Sequence, residues 1–593
     1  MLSKRRGLTT VALMAGIAIT AAACGGSSSS GGSSKTGTGQ DTSGAKKGGT
    51  LKLLGGGDVD HIDPASAYYQ TSYTLLRAVT RQLVSYPIST DEKAAVTPVP
   101  DLATDLPAAT NGGKTYTFKI RQGAMWDTTP ARQITGADVE RGFKRLCNPV
   151  QPSGGIGYYV GVVAGMKEFC DPFAKVAPTA AAIGAYVEGH KISGITSTAD
   201  SVTINLLQPA GDFVNILALP FSSPMPVEMN AYVPDDATFR THFISDGPYK
   251  ISKYVAEKDI ELIRNPSWKA DSDPLRKAYV DNISIVQGSD EAQIQQQLQA
   301  NTVDMSWDTN VPTANIPTLL STKDPNAQKV GGGRVDYMVI NTVSPNNNKA
   351  LGNIKVRQAL EYAVNKKAVI QVVGGPDLYT CTGNILSPPI TGYQKFDQYP
   401  TPDCAGDPAK AKQLLADAGF PNGITLKYLY RNKGKAPAIA ATMQAELKKS
   451  GITLKPIVVP NADFYTKHLS HVPAIKSGDW DIAVPGWSPD WQGNAARSFF
   501  VPLLDGRLFA EGTTNYGDYN NPDVNKLIDQ ALQAPSADAA GTIWGQVDQK
   551  TMADAPWVPI DYGQTVRYWA KDVGGCTIFT FTDNCDVTNV WKK

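Results

Sequence analysis

Thr115-Tyr-Thr-Phe-Lys-Ile-Arg-Gln-Gly-Ala-Met-Trp126, with Thr135-Gly-Ala-Asp138 after it, is the stretch that sets the fold class of this chain. Tyr116, Phe118 and Ile120 fall on one side of an alternating run, and Thr115, Thr117 and Lys119 on the other, which is the pattern of a half-buried strand. Thr135 reads as an N-cap with Asp138 as its capping partner, opening a helix to about Leu146. A strand followed by a capped helix predicts α/β architecture.

The C-terminal half repeats the alternation. Val356, Leu360, Ala363 and Val364 share a helical face, and the run is predicted to end at Gly374-Gly375-Pro376. Asp407-Pro408 supplies a cap and a first-turn proline, with Gly419 as the stop, and Asn521-Pro522 repeats the device before Val524, Leu527, Ile528 and Leu532. Residues 424–430 and 452–459 read as strands around a helix at 437–450. Open sheets of this kind bind ligands in crevices beyond the ends of their strands.

At the other end, Lys4, Arg5 and Arg6 precede an apolar run over 8–23, and Ala21-Ala22-Ala23-Cys24 offers a small-residue cleavage site. The run is shorter than the roughly 18 residues a membrane-spanning helix needs, so residues 1–23 read as an export signal. Arg5-Arg6 also permits a twin-arginine route. What resembles a lipobox makes Cys24 the first mature residue and the site of lipidation, with an unlipidated secreted protein as the alternative. Residues 25–47 are almost entirely Gly, Ser, Thr and Lys and bury nothing. They read as a tether with a reach of about 25 to 30 Å.

A chain of 593 residues exceeds what one core accommodates, so two large lobes or more are expected. Its formal net charge of +1, without clustered Lys and Arg among aromatics, argues against nucleic acid as a partner. Cys147, Cys170, Cys381, Cys404, Cys576 and Cys585 form three sequence-local couples, which in an exported chain read as disulfides. Proximity suggests 147 with 170, 381 with 404 and 576 with 585, although six cysteines permit about 15 connectivities. No C-x-x-C or paired His accompanies them, so no metal and no cofactor is expected.

Phosphate-loop, dinucleotide, nucleophile-elbow and zinc-protease signatures do not occur. Gly331-Gly332-Gly333 has no phosphate-loop lysine and reads as a turn. His468 and His471 lack a third ligand. Gly486-Trp487-Ser488-Pro489-Asp490 departs from a nucleophile elbow at Asp490. Scattered carboxylates leave a surface-anchored hydrolase as the alternative from a different class.

The ordered motifs resemble the extracellular solute-binding proteins of the oligopeptide and dipeptide class, family 5. Those motifs are residues 116–126 with Phe143-Lys144-Arg145-Leu146, then Asp246-Gly247-Pro248-Tyr249 with Arg264-Asn265-Pro266. Val356-Arg357-Gln358-Ala359-Leu360 with Asn365-Lys366 follows, then Ala411-Lys412-Gln413-Leu414-Leu415 with Ala418-Gly419, Trp480-Asp481, Gly486-Trp487 and Asn521-Pro522. The likeness runs in order over nearly all of 48–593.

The resemblance implies an α/β fold, a two-lobed periplasmic-binding-protein-like clamp with an extra subdomain inserted in the N-terminal lobe. It implies a first lobe from 48–95, 200–330 and 555–593, an inserted subdomain at 96–199 and a second lobe at 335–550. Crossings at 336–341 and 556–562 would form the hinge. It further implies a monomeric receptor without catalytic turnover, an oligopeptide ligand and an ABC permease partner, with the membrane reached through lipid on Cys24. Oligosaccharide, metal chelate or haem are alternative ligands on the same fold.

In peptide-binding relatives the acid after the Gly-Trp motif pairs with the ligand's α-ammonium, and Asp490 stands at that position. Its other reading is a loop acid capping local backbone. Trp491-Gln492-Gly493-Asn494 departs from the relatives, which often carry further acids and a proline there. Trp487 and Trp491, then Trp126 and Trp307, are candidates to stack on a ligand or to pack in the core. Tyr337 and Asn341 at the hinge are candidates for polar contacts to a peptide backbone.

Overall fold

The computed structural model describes residues 42–593 apart from 433, 461, 462, 511 and 535. The export segment, Cys24 and all but the end of the tether lie outside the described residues.

The Thr115–Lys119 strand forms where the alternation places it and pairs antiparallel with Ser201–Asn205, which pairs in turn with Ile195–Ser197. Phe118 is fully buried beneath this small sheet. The helix that follows runs Gly136–Arg145, and Thr135 and Asp138 form a reciprocal capping box.

Two larger sheets organise the two lobes. Among the described residues the first has five strands, in the order Met305–Ser306, Thr50–Leu54, Asn282–Val286, Asp259–Arg264 and Tyr249–Val255. Its three leading strands are parallel and the other two antiparallel, with Leu51, Leu53, Ile283 and Ile285 buried. The second, of seven strands among the described residues, centres on Ala327–Ile340 paired antiparallel with Trp557–Tyr568. Beyond Ile482–Ala483 lie Ile424–Arg431 and Ile452–Val459, mutually parallel and joined through the Ala436–Lys449 helix. This α/β clamp, with its extra subdomain, is the fold the sequence implies.

The Ala327–Ile340 strand serves two cores at once. Successive strand side chains point to opposite faces, so Val335, Tyr337 and Val339 join one hydrophobic cluster and Met338 and Ile340 another.

Two local expectations change. The helix predicted to run past Val364 is two helices, Ile354–Ala363 and Lys366–Val373, because Asn365 caps the second by accepting from the Ala368 N–H. The Gly331-Gly332-Gly333 run is a register break inside the long strand, not a turn. Gly331 and Gly332 adopt φ of 85° and 114°, which only glycine adopts freely.

Cys147–Cys170, Cys381–Cys404 and Cys576–Cys585 are disulfide-bonded. Among the described residues no helix is long and apolar enough to cross a membrane, and no cluster of three metal-ligating side chains occurs.

Candidate functional site

A cavity of about 2130 Å³ is walled by residues of both lobes, among them Tyr68, Gln70, Gly331–Gly333, Arg334, Tyr379, Arg431, Trp487, Asp490 and Asp583. The Gly486–Trp487 strand reaches its wall by pairing with Val335 and Asp336. A Cβ on Gly486 would lie 1.9 Å from Arg334 Nη2 and 2.1 Å from Asp336 Oδ1, so the Arg334–Asp336 ion pair, 2.6 Å long, requires glycine there. The Trp487 ring is half-buried on the wall, fixed by its Nε1–H donating to the Ser498 carbonyl at 2.9 Å.

Pro489 then packs on Gly333, where a Cβ would come within 2.9 Å of its Cγ. The turn presents Asp490 to the cavity, with the backbone N–H of Asp490 donating to Ser498 Oγ at 3.3 Å. Both carboxylate oxygens of Asp490 accept from tyrosines of distant segments. Tyr68 Oη donates to Oδ1 at 2.7 Å, and Tyr158 Oη donates to Oδ2. Burial pushes the Asp490 carboxyl up to about 6, against the opposing pull of the two hydroxyls. Both tyrosines are raised well above the usual phenol range by burial first and by the Asp490 charge second. Among the described residues the side-chain donors to this carboxylate are neutral, an arrangement that can accept a further charge-assisted hydrogen bond.

The chain matches the family model of bacterial extracellular solute-binding proteins, family 5 (middle), over residues 97–505. The protein belongs to this family. Curated relatives of this solute-binding protein include the heme-binding protein A of Haemophilus influenzae, 28% identical over 76% of each chain. They also include the dipeptide-binding protein of Escherichia coli, 26% identical over 84% of this chain and 86% of that one. Among solved structures, the clavulanic acid biosynthesis oligopeptide binding protein 2 superposes with a TM-score of 0.83, at 25% identity, covering 94% of this chain and 99% of its own.

Of the ligand-contact candidates singled out from sequence, Asp490 and Trp487 line the cavity of this solute-binding protein, and Trp491, Trp126, Trp307, Tyr337 and Asn341 do not. Trp491, Trp126 and Trp307 are core residues, 0%, 1% and 3% exposed, with no face left for a ligand. Trp491 instead sets its ring against Tyr158, centroids 4.9 Å apart at 85°, and donates to the Asn494 carbonyl at 2.6 Å. Trp307 fills the space that Gly55 leaves, where a Cβ would lie 2.6 Å from the indole. Tyr337 is buried and stacked on Trp557 at 3.6 Å. Asn341 donates to the Ile475 and Trp480 carbonyls at 2.8 and 3.0 Å, so it braces the second lobe rather than meeting a ligand.

Sequence reading missed Tyr68, Tyr158 and Asp583. Tyr68 left a faint trace in Gly154-Gly155, since a Cβ on Gly154 would lie 3.2 Å from the Tyr68 ring and one on Gly155 2.5 Å from Phe221, which stacks on Tyr68. Nothing local marks the other two.

Proposed function

We propose that this solute-binding protein captures oligopeptides between its lobes and hands them to an ABC permease, without turnover. Asp490 carries the reading. A carboxylate on a cavity wall, held by two tyrosine hydroxyls, offers the charge-assisted acceptor that a peptide's α-ammonium needs. The cavity volume of about 2130 Å³ supports a ligand of several residues, since ordinary small-molecule pockets hold about 300–1,000 Å³. Relatives named for dipeptides and oligopeptides point the same way.

The division into a first lobe (48–95, 200–330, 555–593), an inserted subdomain (96–199) and a second lobe (335–550) belongs to this reading. So does anchoring through lipid on Cys24 to the outer face of the cell membrane, where two acyl chains hold a protein stably and one does so only marginally. Cys24→Ser is expected to release the protein into the medium, and retention on the cell would overturn the anchor.

Mass spectrometry of ligand released from the purified protein tests the substrate class: peptides support it, whereas sugars or haem would replace it. Calorimetry with trialanine tests the residue. Asp490→Asn is expected to weaken binding at least tenfold, about 1.4 kcal/mol. That lies below the roughly 3–5 kcal/mol of a fully buried pair because Asp490 is partly exposed. Unchanged affinity would remove Asp490 from the role.

A further inference from the structure

A second carboxylate faces the same cavity. Asp583 sits at the tip of a hairpin formed by Ile578–Phe579 and Asn584–Cys585, and the Cys576–Cys585 disulfide closes the base of that hairpin. Thr580, Phe581 and Asp583 of the tip all line the cavity. Asp583 Oδ2 lies 3.7 Å from the place a Cβ on Gly331 would occupy, so it stands over backbone that carries no side chain. The triglycine run, unexplained as a turn, thereby becomes an unobstructed floor beneath the carboxylate. Two residues along the same strand, Gly333 carries Pro489, the neighbour of Asp490. The register break keeps these positions close, with Gly331 opposite Gln564 and Arg334 opposite the adjacent Gly563, so the two acids flank one short stretch of backbone.

The Asp583 carboxylate is not committed to the nearest cation. Arg567 Nε donates to the backbone oxygen of Asp583 at 2.8 Å, and Arg567 Nη1 donates to the Thr309 carbonyl at 2.8 Å. Its remaining polar neighbour is the Gln70 amide, and burial holds the carboxyl up at about 6 against both. Three cations on the cavity wall have partners of their own. Arg334 is paired with Asp336, Lys329 donates to the Asp377 carbonyl at 2.6 Å, and Lys435 donates to the Val373 carbonyl and to Tyr379 Oη. Tyr73 and Phe581, stacked at 5.1 Å, add aromatic surface to the same wall, suited to the stem or the cation of a long basic side chain.

We infer that the cavity selects peptides with Lys or Arg at the first or second position, the side-chain cation docking on Asp583 while the α-ammonium docks on Asp490. Residues of an extended peptide repeat at about 3.3–3.6 Å, so a long basic side chain at either position carries its cation well beyond the α-ammonium, toward the neighbouring carboxylate. The inference rests on the peptide reading of Asp490 and adds a preference to it.

Calorimetry with two isosteric pairs separates the two claims: Lys-Ala-Ala against its Nε-acetyl form, and Ala-Lys-Ala against its Nε-acetyl form. In the wild-type protein one lysine peptide is expected to bind at least tenfold tighter than its acetylated partner, and in Asp583→Asn that gap closes to within twofold. Equal, measurable affinity within both pairs, or a gap that persists in Asp583→Asn, overturns the Asp583 subsite while leaving the peptide reading standing. Absence of binding by all four peptides overturns the peptide reading and this inference together. If Asp583→Asn fails to fold, judged by its melting transition, the wild-type comparison decides alone.

Discussion

At Asp490, charge and location are coupled. A ligand ammonium binds the carboxylate form, and burial holds that carboxyl at about 6 in the free protein. Trialanine affinity is therefore expected to peak near pH 7, to fall about twofold by pH 8 as the peptide's own α-amino group (pKa about 8) deprotonates, and to fall about tenfold per unit well below pH 6, as a proton competes for the site. Tyr158→Phe removes one donor that favours the carboxylate and should move the midpoint upward; calorimetry across pH 5–8 reads both, and a profile level down to pH 5 would contradict the assignment. Asp490 was legible in the chain because it follows Gly486-Trp487. Tyr68 and Tyr158 were not, since they stand 422 and 332 residues away. No spacing rule reaches that far.

Among the elements, the family-like motifs divide into those that hold the scaffold and those that face the cavity. Asp246-Gly247-Pro248-Tyr249 and Arg264-Asn265-Pro266 lock to one another. Asn265 Nδ2 donates to the Gly247 carbonyl at 3.0 Å, and the Asn265 N–H to the Pro248 carbonyl at 2.9 Å. Gly247 lies against the end of the Gln70–Val79 helix, where a Cβ would come 2.5 Å from the Ala78 oxygen and 2.7 Å from the Val79 carbonyl carbon. Backbone on both sides cannot yield cheaply, so Gly247→Ala is expected to cost about 1–3 kcal/mol in urea unfolding. An unchanged midpoint would show that the helix end can move aside. The caps at Asp407-Pro408 and Asn521-Pro522 were readable because they act within one turn, with side chains accepting from Lys410 N–H and from Asp523 and Val524 N–H.

For the molecule as a whole, a buried charge network ties together segments far apart in the chain. Asp101 accepts from Arg81 and Arg276 at 2.7 and 2.8 Å, Asp273 lies 3.4 Å from Arg276, and Arg77 holds Asp586 of the C-terminal segment at 3.0 Å. Asp101→Ala leaves two buried guanidiniums to share Asp273 and is expected to cost about 3–5 kcal/mol, measured by urea unfolding. Burial alone would raise the Asp273 carboxyl, yet Arg81 and Arg276 outweigh it and hold it well below the usual carboxylate range. Its contribution is thus complete above the unfolded-state value near 4 and is lost as pH falls toward the folded one. Near the Asp490 loop, Arg497 meets Asp212 at 3.4 Å and Gln492 Nε2 donates to the Thr580 carbonyl at 3.2 Å. The second contact joins the loop that carries Asp490 to the hairpin tip that carries Asp583.

The amino-acid sequence by itself determined the α/β class, the capped helices, the half-buried Thr115–Lys119 strand and the three local cysteine couples, because each depends on residues within a few turns or a short loop. It also marked Asp490 through an ordered series of motifs. Only the tertiary structure decided which tryptophan faces the cavity. Trp487 and Trp491 are equally apolar and four residues apart, and their burial depends on what packs above them. The same holds for the Tyr68–Asp490–Tyr158 contact and for Asp583 over the triglycine floor. Both join segments that chain spacing leaves unrelated, and the burial that raises their carboxyls exists only once the lobes enclose the cavity.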